Sequence, residues 1–219
     1  PFQLCEIFFM TTRLLYVMDP MCSWCWGFAP VVETLAAQAN RAGIELQVVV
    51  GGLRREQKAL DEAGRVRIFG HWQTVNASTG QTFDFIRGLP AGLIYDTEPA
   101  CRALVTARQL DPLMVLPLVR LIQEAFYCAG VDVTKAGELR RLAGLAGLPE
   151  VKFAEAFDSP EVHAATQADF AWTQRLGISG FPTLLAQRDG LNALLTNGYQ
   201  PLQRLEPLLA RWLENLTHA

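Results

Sequence analysis

The chain has 219 residues, half of them hydrophobic and 19% charged, with a formal net charge of −3 and a pI near 5.7. That length suits one large domain, or a small domain carrying an insertion, with apolar material for a substantial core. The charge balance, without a Lys/Arg stripe or an acidic tail, argues against nucleic acid or an anionic membrane surface as partner. The short pairs Arg54-Arg55 and Arg140-Arg141 read as solvated faces.

No apolar run approaches the roughly 20 residues needed to span a bilayer. The first residues lack a basic segment and a small-residue cleavage site, so they do not read as a secretory signal. Met10-Thr11-Thr12 looks like a natural start placed directly before a strand, and residues 1–9 are expected to be an extension without functional weight.

Arg13 to Met18 is a short apolar run whose length and following Asp-Pro suit a buried strand. Asp19-Pro20 reads as a helix entry, with Asp as N-cap and Pro as the first helical residue. Phe28, Val31, Val32, Leu35, Ala36 and Ala39 recur at helical spacing, and Asn40 and Gly43 end that helix. Ile44 to Val50 is rich in β-branched residues and reads as a second buried strand. A parallel pair with a right-handed crossover is the default for such a unit.

From about Lys58 to Leu176 strand signals nearly vanish and helix signals repeat. Asp111-Pro112 and Ser159-Pro160 are cap-plus-Pro starts, Leu113–Phe126 and Gly137–Ala146 carry helical apolar spacing, and Gly147-Leu148-Pro149 is a break. Strand character returns at Thr183–Gln187, Asp189-Gly190 signals a hairpin turn, and Leu191–Thr196 is the return strand. Pro201 opens a last helix with Leu202, Leu205, Leu209, Trp212 and Leu216 on one face. The order βαβ, helical block, ββα predicts an α/β chain of thioredoxin-like fold. Its two parts are 10–57 and 177–219, around a large all-helical insertion at 58–176.

Five cysteines, Cys5, Cys22, Cys25, Cys101 and Cys128, make a poor disulfide framework, being odd in number and mostly scattered. They suit a reducing compartment, so the cytoplasm is the expected location, with the periplasm open if a leader has been removed. Cys101 and Cys128 sit in helical apolar stretches and read as core residues.

Cys22-Ser23-Trp24-Cys25 falls between the first strand and the first helix. Two intervening residues on a helical turn bring the sulfurs within bridging reach, and helix N-terminal amides favour the thiolate of the first cysteine. Cys22 is thus the candidate nucleophile and Cys25 the resolving thiol. Half a zinc site is the competing chemistry, but no second C-x-x-C exists and His71, His163 and His218 are far apart. A structural pair of core cysteines is the other alternative. Gly177 to Thr183, including Phe181-Pro182, leads into the third strand. It reads either as a plain turn or as a cis-Pro loop facing the cysteines, with backbone groups free for an extended thiol peptide.

Asp19 is read as a cap, or as a proton shuttle for Cys25. His71 and Trp72 read either as groove-lining residues or as plain helix-surface or core residues. Trp24 is expected to be the exposed member of the pair Trp24/Trp26, and Arg54 or Arg55 is a candidate partner for a carboxylate.

These motifs, Asp19 to Phe28 and Gly180-Phe181-Pro182-Thr183, resemble the DsbA-like thiol–disulfide oxidoreductases of the thioredoxin superfamily. The match looks closer to the FrnE-like branch and to DsbM-type members. Gly51-Gly52-Leu53, His71-Trp72, Thr79-Gly80-Gln81 with Phe83, and Gln123 to Tyr127 extend it over Leu14–Leu216. The resemblance implies Cys22 as nucleophile, a cis Pro182 and a helical roof over a groove. It also implies glutathione or protein thiols as partners, with glutathione as co-substrate, no bound cofactor and no metal. Ser23, Trp24, Phe181, Pro182, Thr183 and His71 would contact the substrate. Ser23-Trp24 departs from the dipeptides of periplasmic DsbA and of thioredoxin, so neither redox potential transfers. Kappa-class glutathione transferases and 2-hydroxychromene-2-carboxylate isomerases share this architecture and are the alternative reading, but they carry serine at the position of Cys22. A non-catalytic redox-sensing module is a third.

Overall fold

The computed structural model describes residues 12–217, so the expectations for residues 1–9 and for Cys5 lie outside it. In chain order the elements are β1 (Thr12–Met18), α1 (Ser23–Arg41), β2 (Glu45–Val50), β3 (Arg55–Ala59), α2 (Glu62–Thr79), β4 (Ile94–Asp96) and α3 (Glu98–Leu110). Then come a 3-10 turn (Pro112–Met114), α4 (Val115–Ala129), α5 (Ala136–Leu145), α6 (Glu150–Phe157), α7 (Pro160–Arg175), β5 (Thr183–Arg188), β6 (Leu191–Asn197) and α8 (Leu202–Thr217).

β1, β2, β5 and β6 form one sheet in the order β2-β1-β5-β6. β1 runs parallel to β2 and antiparallel to β5, and β5 is antiparallel to β6. The register pairs Met18 with Val50 and Val17 with Thr183. Four loops therefore meet at one end of the sheet: the one after β1, the one after β2, the one before β5 and the one after β6. Side chains alternate across β1. Leu14, Tyr16 and Met18 join the main core with α1, while Leu15 and Val17 meet Val49 and Leu185 on the other face. At the β5–β6 hairpin Asp189 (φ 52) and Gly190 (φ 77) are both left-handed, as a tight primed turn requires.

Within 62–175 every regular element but β4 is helical, and β4 pairs with β3 in a small separate sheet. Sequence reading sees no strand there because β3 is all exposed and polar and β4 has three residues. Pro112–Ala129 matches a membrane span in length and hydropathy, yet Leu118, Ile122 and Phe126 from it are packed in the core.

The insertion is tied to the sheet by polar contacts. Arg108 of α3 grips the Asp169 carboxylate of α7 at 2.8 and 3.0 Å and donates to the Val48 carbonyl oxygen. Asp169 in turn accepts the Val50 amide at 3.0 Å. These groups cover main-chain atoms of β2, an edge strand that would otherwise present unpaired groups. A second tie forms at Pro30 inside α1. Pro30 has no N–H for the Trp26 carbonyl four residues back, and the Gln81 carboxamide donates to that carbonyl oxygen at 3.0 Å.

Candidate active site

α1 does not begin at Asp19-Pro20, as the cap-plus-Pro pattern predicts. Its N-cap is Cys22, with extended backbone (φ −87°, ψ 117°), and Ser23 is the first helical residue. The reason is local: Asp19 spends its carboxylate elsewhere. One oxygen accepts the Met21 amide at 2.8 Å, closing a turn, and the Asp19 carbonyl accepts the Cys22 amide at 3.0 Å. The chain thus turns once more before the helix opens, which seats the first cysteine at the helix end instead of inside it.

Cys22 and Cys25 are both thiols. Cys22 is 6% exposed and Cys25 wholly buried, one turn further in. Burial, and then the adjacent Cys22 thiol, push the Cys25 thiol well above the ordinary range. The Cys22 thiol donates to the Phe181 carbonyl oxygen at 3.7 Å. That carbonyl belongs to a cis Phe181-Pro182 bond, so the loop before β5 does face the first cysteine, as the register of β1 and β5 dictates.

The loop is itself held. The Pro182 carbonyl oxygen accepts the Gly198 amide at 2.7 Å, and the Thr183 hydroxyl donates to the Gly180 carbonyl oxygen at 2.9 Å, with Asn197 Oδ1 3.1 Å away. Phe181 lies on the bare backbone of Gly51; a Cβ there would stand 1.9 Å from the ring. Gly51 therefore fixes the separation between the end of β2 and the Pro182 loop.

Asp19 is fully buried beneath this assembly. Its second carboxylate oxygen accepts the Leu53 amide at 2.7 Å, the Thr97 hydroxyl at 2.6 Å and the Cys101 thiol at 3.3 Å. Burial raises its pKa, and the hydrogen bonds from Thr97, Leu53 and Met21 oppose the rise. Cys101 is thus a donor to the site's acid as well as a core residue.

The remaining candidates divide. Ser23 is half-buried at the first helical position. Trp24 is half-buried against Tyr199, less exposed than predicted, while Trp26 is buried, stacks on Tyr127 and donates its indole N–H to the Thr82 carbonyl oxygen. His71 is exposed and makes no hydrogen bond to either cysteine among the described residues. It shares an i, i+4 stripe of α2 with Val75 and Thr79, which border Gly27 of α1. Trp72 is not a groove wall but the centre of an aromatic cluster with Phe69, Phe83, Phe126 and Tyr127. Arg54 lies over the Tyr95 ring at 5.2 Å and pairs with Glu56. Cys128 lines a cleft of ≈ 660 Å³ between α1 and α4 that neither Cys22 nor Cys25 borders. Among the described residues no cluster of three or more His, Cys, Asp or Glu is arranged to hold a metal ion.

Sequence reading misses three contributors: Thr97, Tyr95 and Tyr16. Thr97 stands at the N-cap of α3, but its hydroxyl makes no cap bond; only the fold brings it to Asp19. Tyr95, whose hydroxyl donates to the Met21 carbonyl oxygen at 2.7 Å, sits on the short β4. Tyr16 reads as one more strand hydrophobe, but alternation from Met18 points it to the α1 face, where the cysteines lie.

The family model of the DSBA-like thioredoxin domain matches residues 13–210. No curated protein matches the chain. Among solved structures, a candidate protein disulfide isomerase from Nitrosomonas europaea is 40% identical, with 94% of this chain and 98% of that one covered and a TM-score of 0.86. The cytosolic disulfide reductase DsbM from Pseudomonas aeruginosa is 28% identical over 94% of this chain and 100% of its own, with a TM-score of 0.77. The structure of that reductase with GSH aligns over the same shares at 26% identity and a TM-score of 0.74.

Proposed function

The chain belongs to the DSBA-like thioredoxin-domain family, and from that membership we propose a thiol–disulfide oxidoreductase in which Cys22 attacks and Cys25 resolves. The observation that carries this reading is the position of Cys22: N-cap of α1, 3.7 Å from the Phe181 carbonyl oxygen of the cis-Pro loop. The free amides of the first helical turn favour negative charge on a sulfur there.

In the forward half-reaction the Cys22 thiolate attacks one sulfur of a disulfide. A new S–S bond forms as the old one breaks, and the departing thiolate takes a proton. Cys25 then attacks the Cys22 sulfur, forms the intramolecular disulfide and expels the second thiol. The order of events is built into the burial. Cys25 is inaccessible to a bulky disulfide and stays protonated at neutral pH, so it acts only after Cys22 has been engaged. Asp19, an electrostatic neighbour of Cys25, is one acceptor for its proton.

Glutathione is the small partner we assign. The relative seen with GSH supports it, and the Pro182 loop presents a carbonyl to an extended thiol peptide. Ser23, Trp24, Phe181 and Pro182 form the contact surface in this reading, and Thr183 holds the loop. The P. aeruginosa relative is named as cytosolic, which supports a cytosolic setting for this chain as well.

Oxidised glutathione supplied to the reduced chain gives the test. Cys22→Ser should abolish disulfide exchange, a loss of at least 100-fold on the scale of removed nucleophiles. Cys25→Ser should accumulate a glutathione adduct on Cys22, read by mass spectrometry. Full turnover by Cys22→Ser would overturn the nucleophile assignment. Glutathione conjugation or chromene isomerisation persisting in the double Cys→Ser chain would establish the alternative class.

A further inference from the structure

Between α1 and α4, over Tyr16, lies a narrow cavity. Its volume is ≈ 10 Å³, the room of a single water. Its walls are apolar except for the Tyr16 hydroxyl and Gln123, and its rim carries Glu33 of α1 and Arg120 of α4, which are electrostatic neighbours. Gln123 is 0% exposed, and neither end of its carboxamide has a hydrogen-bond partner among the described residues; the buried Tyr16 hydroxyl has none either. Three unpaired polar atoms on one small cavity are costly unless something polar sits between them. The Tyr16 hydroxyl is also a neighbour of the Cys25 sulfur, close enough to respond to its charge.

The geometry points to a hydrated proton exit for the resolving thiol: one internal water held by Gln123 and Tyr16, with Tyr16 linking it to Cys25. This rests on the dithiol reading above and adds a route to it. In the resolving step the Cys25 S–H proton passes to the Tyr16 oxygen as the Tyr16 hydroxyl proton passes to the water. The water releases a proton to solvent at the Glu33–Arg120 rim. The Cys25 sulfur bonds to the Cys22 sulfur as the Cys22–glutathione bond breaks, and the departing glutathione thiolate takes up a proton. No electrons move beyond those of the exchange.

Burial, ahead of any neighbour, keeps the Tyr16 phenol neutral well above its usual range, which suits a group that hands a proton on and never holds the charge. The titratable groups facing Cys25 are Cys22 and Asp19 from its own stretch, Tyr16 from β1 and Tyr127 from α4. Asp19 already holds four donors, three on one oxygen and one on the other, whereas the Tyr16 hydroxyl and the Gln123 carboxamide hold none among the described residues.

The experiment mixes the reduced full chain with oxidised glutathione and quenches at intervals, separating adduct formation on Cys22 from its resolution by Cys25. Tyr16→Phe and Gln123→Leu should each slow resolution by roughly tenfold or more, within the range of lost proton-transfer assistance, and leave adduct formation unchanged. In mixtures of light and heavy water, resolution by the unaltered chain should give a curved rate plot, as two protons in flight require, and by Tyr16→Phe a straight one. A crystal structure should place a water within hydrogen-bond distance of Gln123 and Tyr16. Unchanged resolution in both variants, or equal slowing of both phases, would overturn the relay. Slowing by Tyr16→Phe alone would overturn the water step. Failure of the unaltered chain to form any Cys22 adduct would instead sink the dithiol reading, and the relay with it.

Discussion

Two buried polar groups flank the dithiol, and they are built in opposite ways. Beneath the cysteines, Asp19 accepts from two backbone amides, a hydroxyl and a thiol, drawn from three separate stretches of chain. Beside them, Tyr16 and Gln123 are as deeply buried but have no protein partner among the described residues. A saturated group fixes geometry: every donor it holds is a constraint on the loops that carry Cys22 and Gly52-Leu53. An unsaturated pair leaves room for a small mobile occupant and so for traffic.

That contrast is broken most forcefully by Asp19→Ala, which strands two amides, a hydroxyl and a thiol at once. It should cost about 4 kcal/mol of folding stability at roughly 1–3 kcal/mol per uncompensated buried group, measured by urea unfolding of the reduced chain. Gly51→Ala comes next. The added methyl must displace Phe181, at about 2 kcal/mol for overpacking, and should slow adduct formation on Cys22 because the Pro182 loop moves with the ring.

A pH series sharpens the comparison further. Asp19's pKa is raised in the fold, so between the unfolded carboxylate range near ~4 and the higher folded value the native state binds more protons than the unfolded one. Stability from this group is therefore full below that window and lost as pH rises through it. Asp19→Asn should remove this downward slope; an unchanged slope would assign it elsewhere. Tyr16→Phe should have the smallest effect on stability, within about 1 kcal/mol either way, although it removes a buried hydroxyl from the same neighbourhood. A loss as large as that of Asp19→Ala would show that the two sides are not different in kind.

The central sheet and α1 were legible because their signals are local. β1 and β2 are apolar runs of strand length, α1 carries a helical stripe, and Asp189-Gly190 is a turn by its own chemistry. The dithiol and the proline loop were legible as motifs. Helix α1 was misplaced at its start because Asp-Pro is a good cap pattern in isolation. Only the arrival of Leu53, Thr97 and Cys101 explains why Asp19 does something else. Trp72 reads equally as groove or core from its motif, because the environment that decides it, Phe83, Phe126 and Tyr127, comes from segments up to 55 residues away. Tyr16 reads only as a strand hydrophobe, and Gln123 stands in a resembling motif without a role, because an absent partner leaves no mark on a sequence.

Pro30 gives the chain a consequence of its own. The helix bearing the cysteines cannot complete its own ladder, and the missing donor is borrowed from Gln81, just past the end of α2. Together with Thr97 and Cys101 on Asp19, that loan makes the helical segment a working component of the sheet domain, not an ornament. Excising it to obtain a minimal scaffold would bare a carbonyl at Trp26 and two of the four donors' seats at Asp19, so the lid and the blade beneath it have to be inherited as one piece.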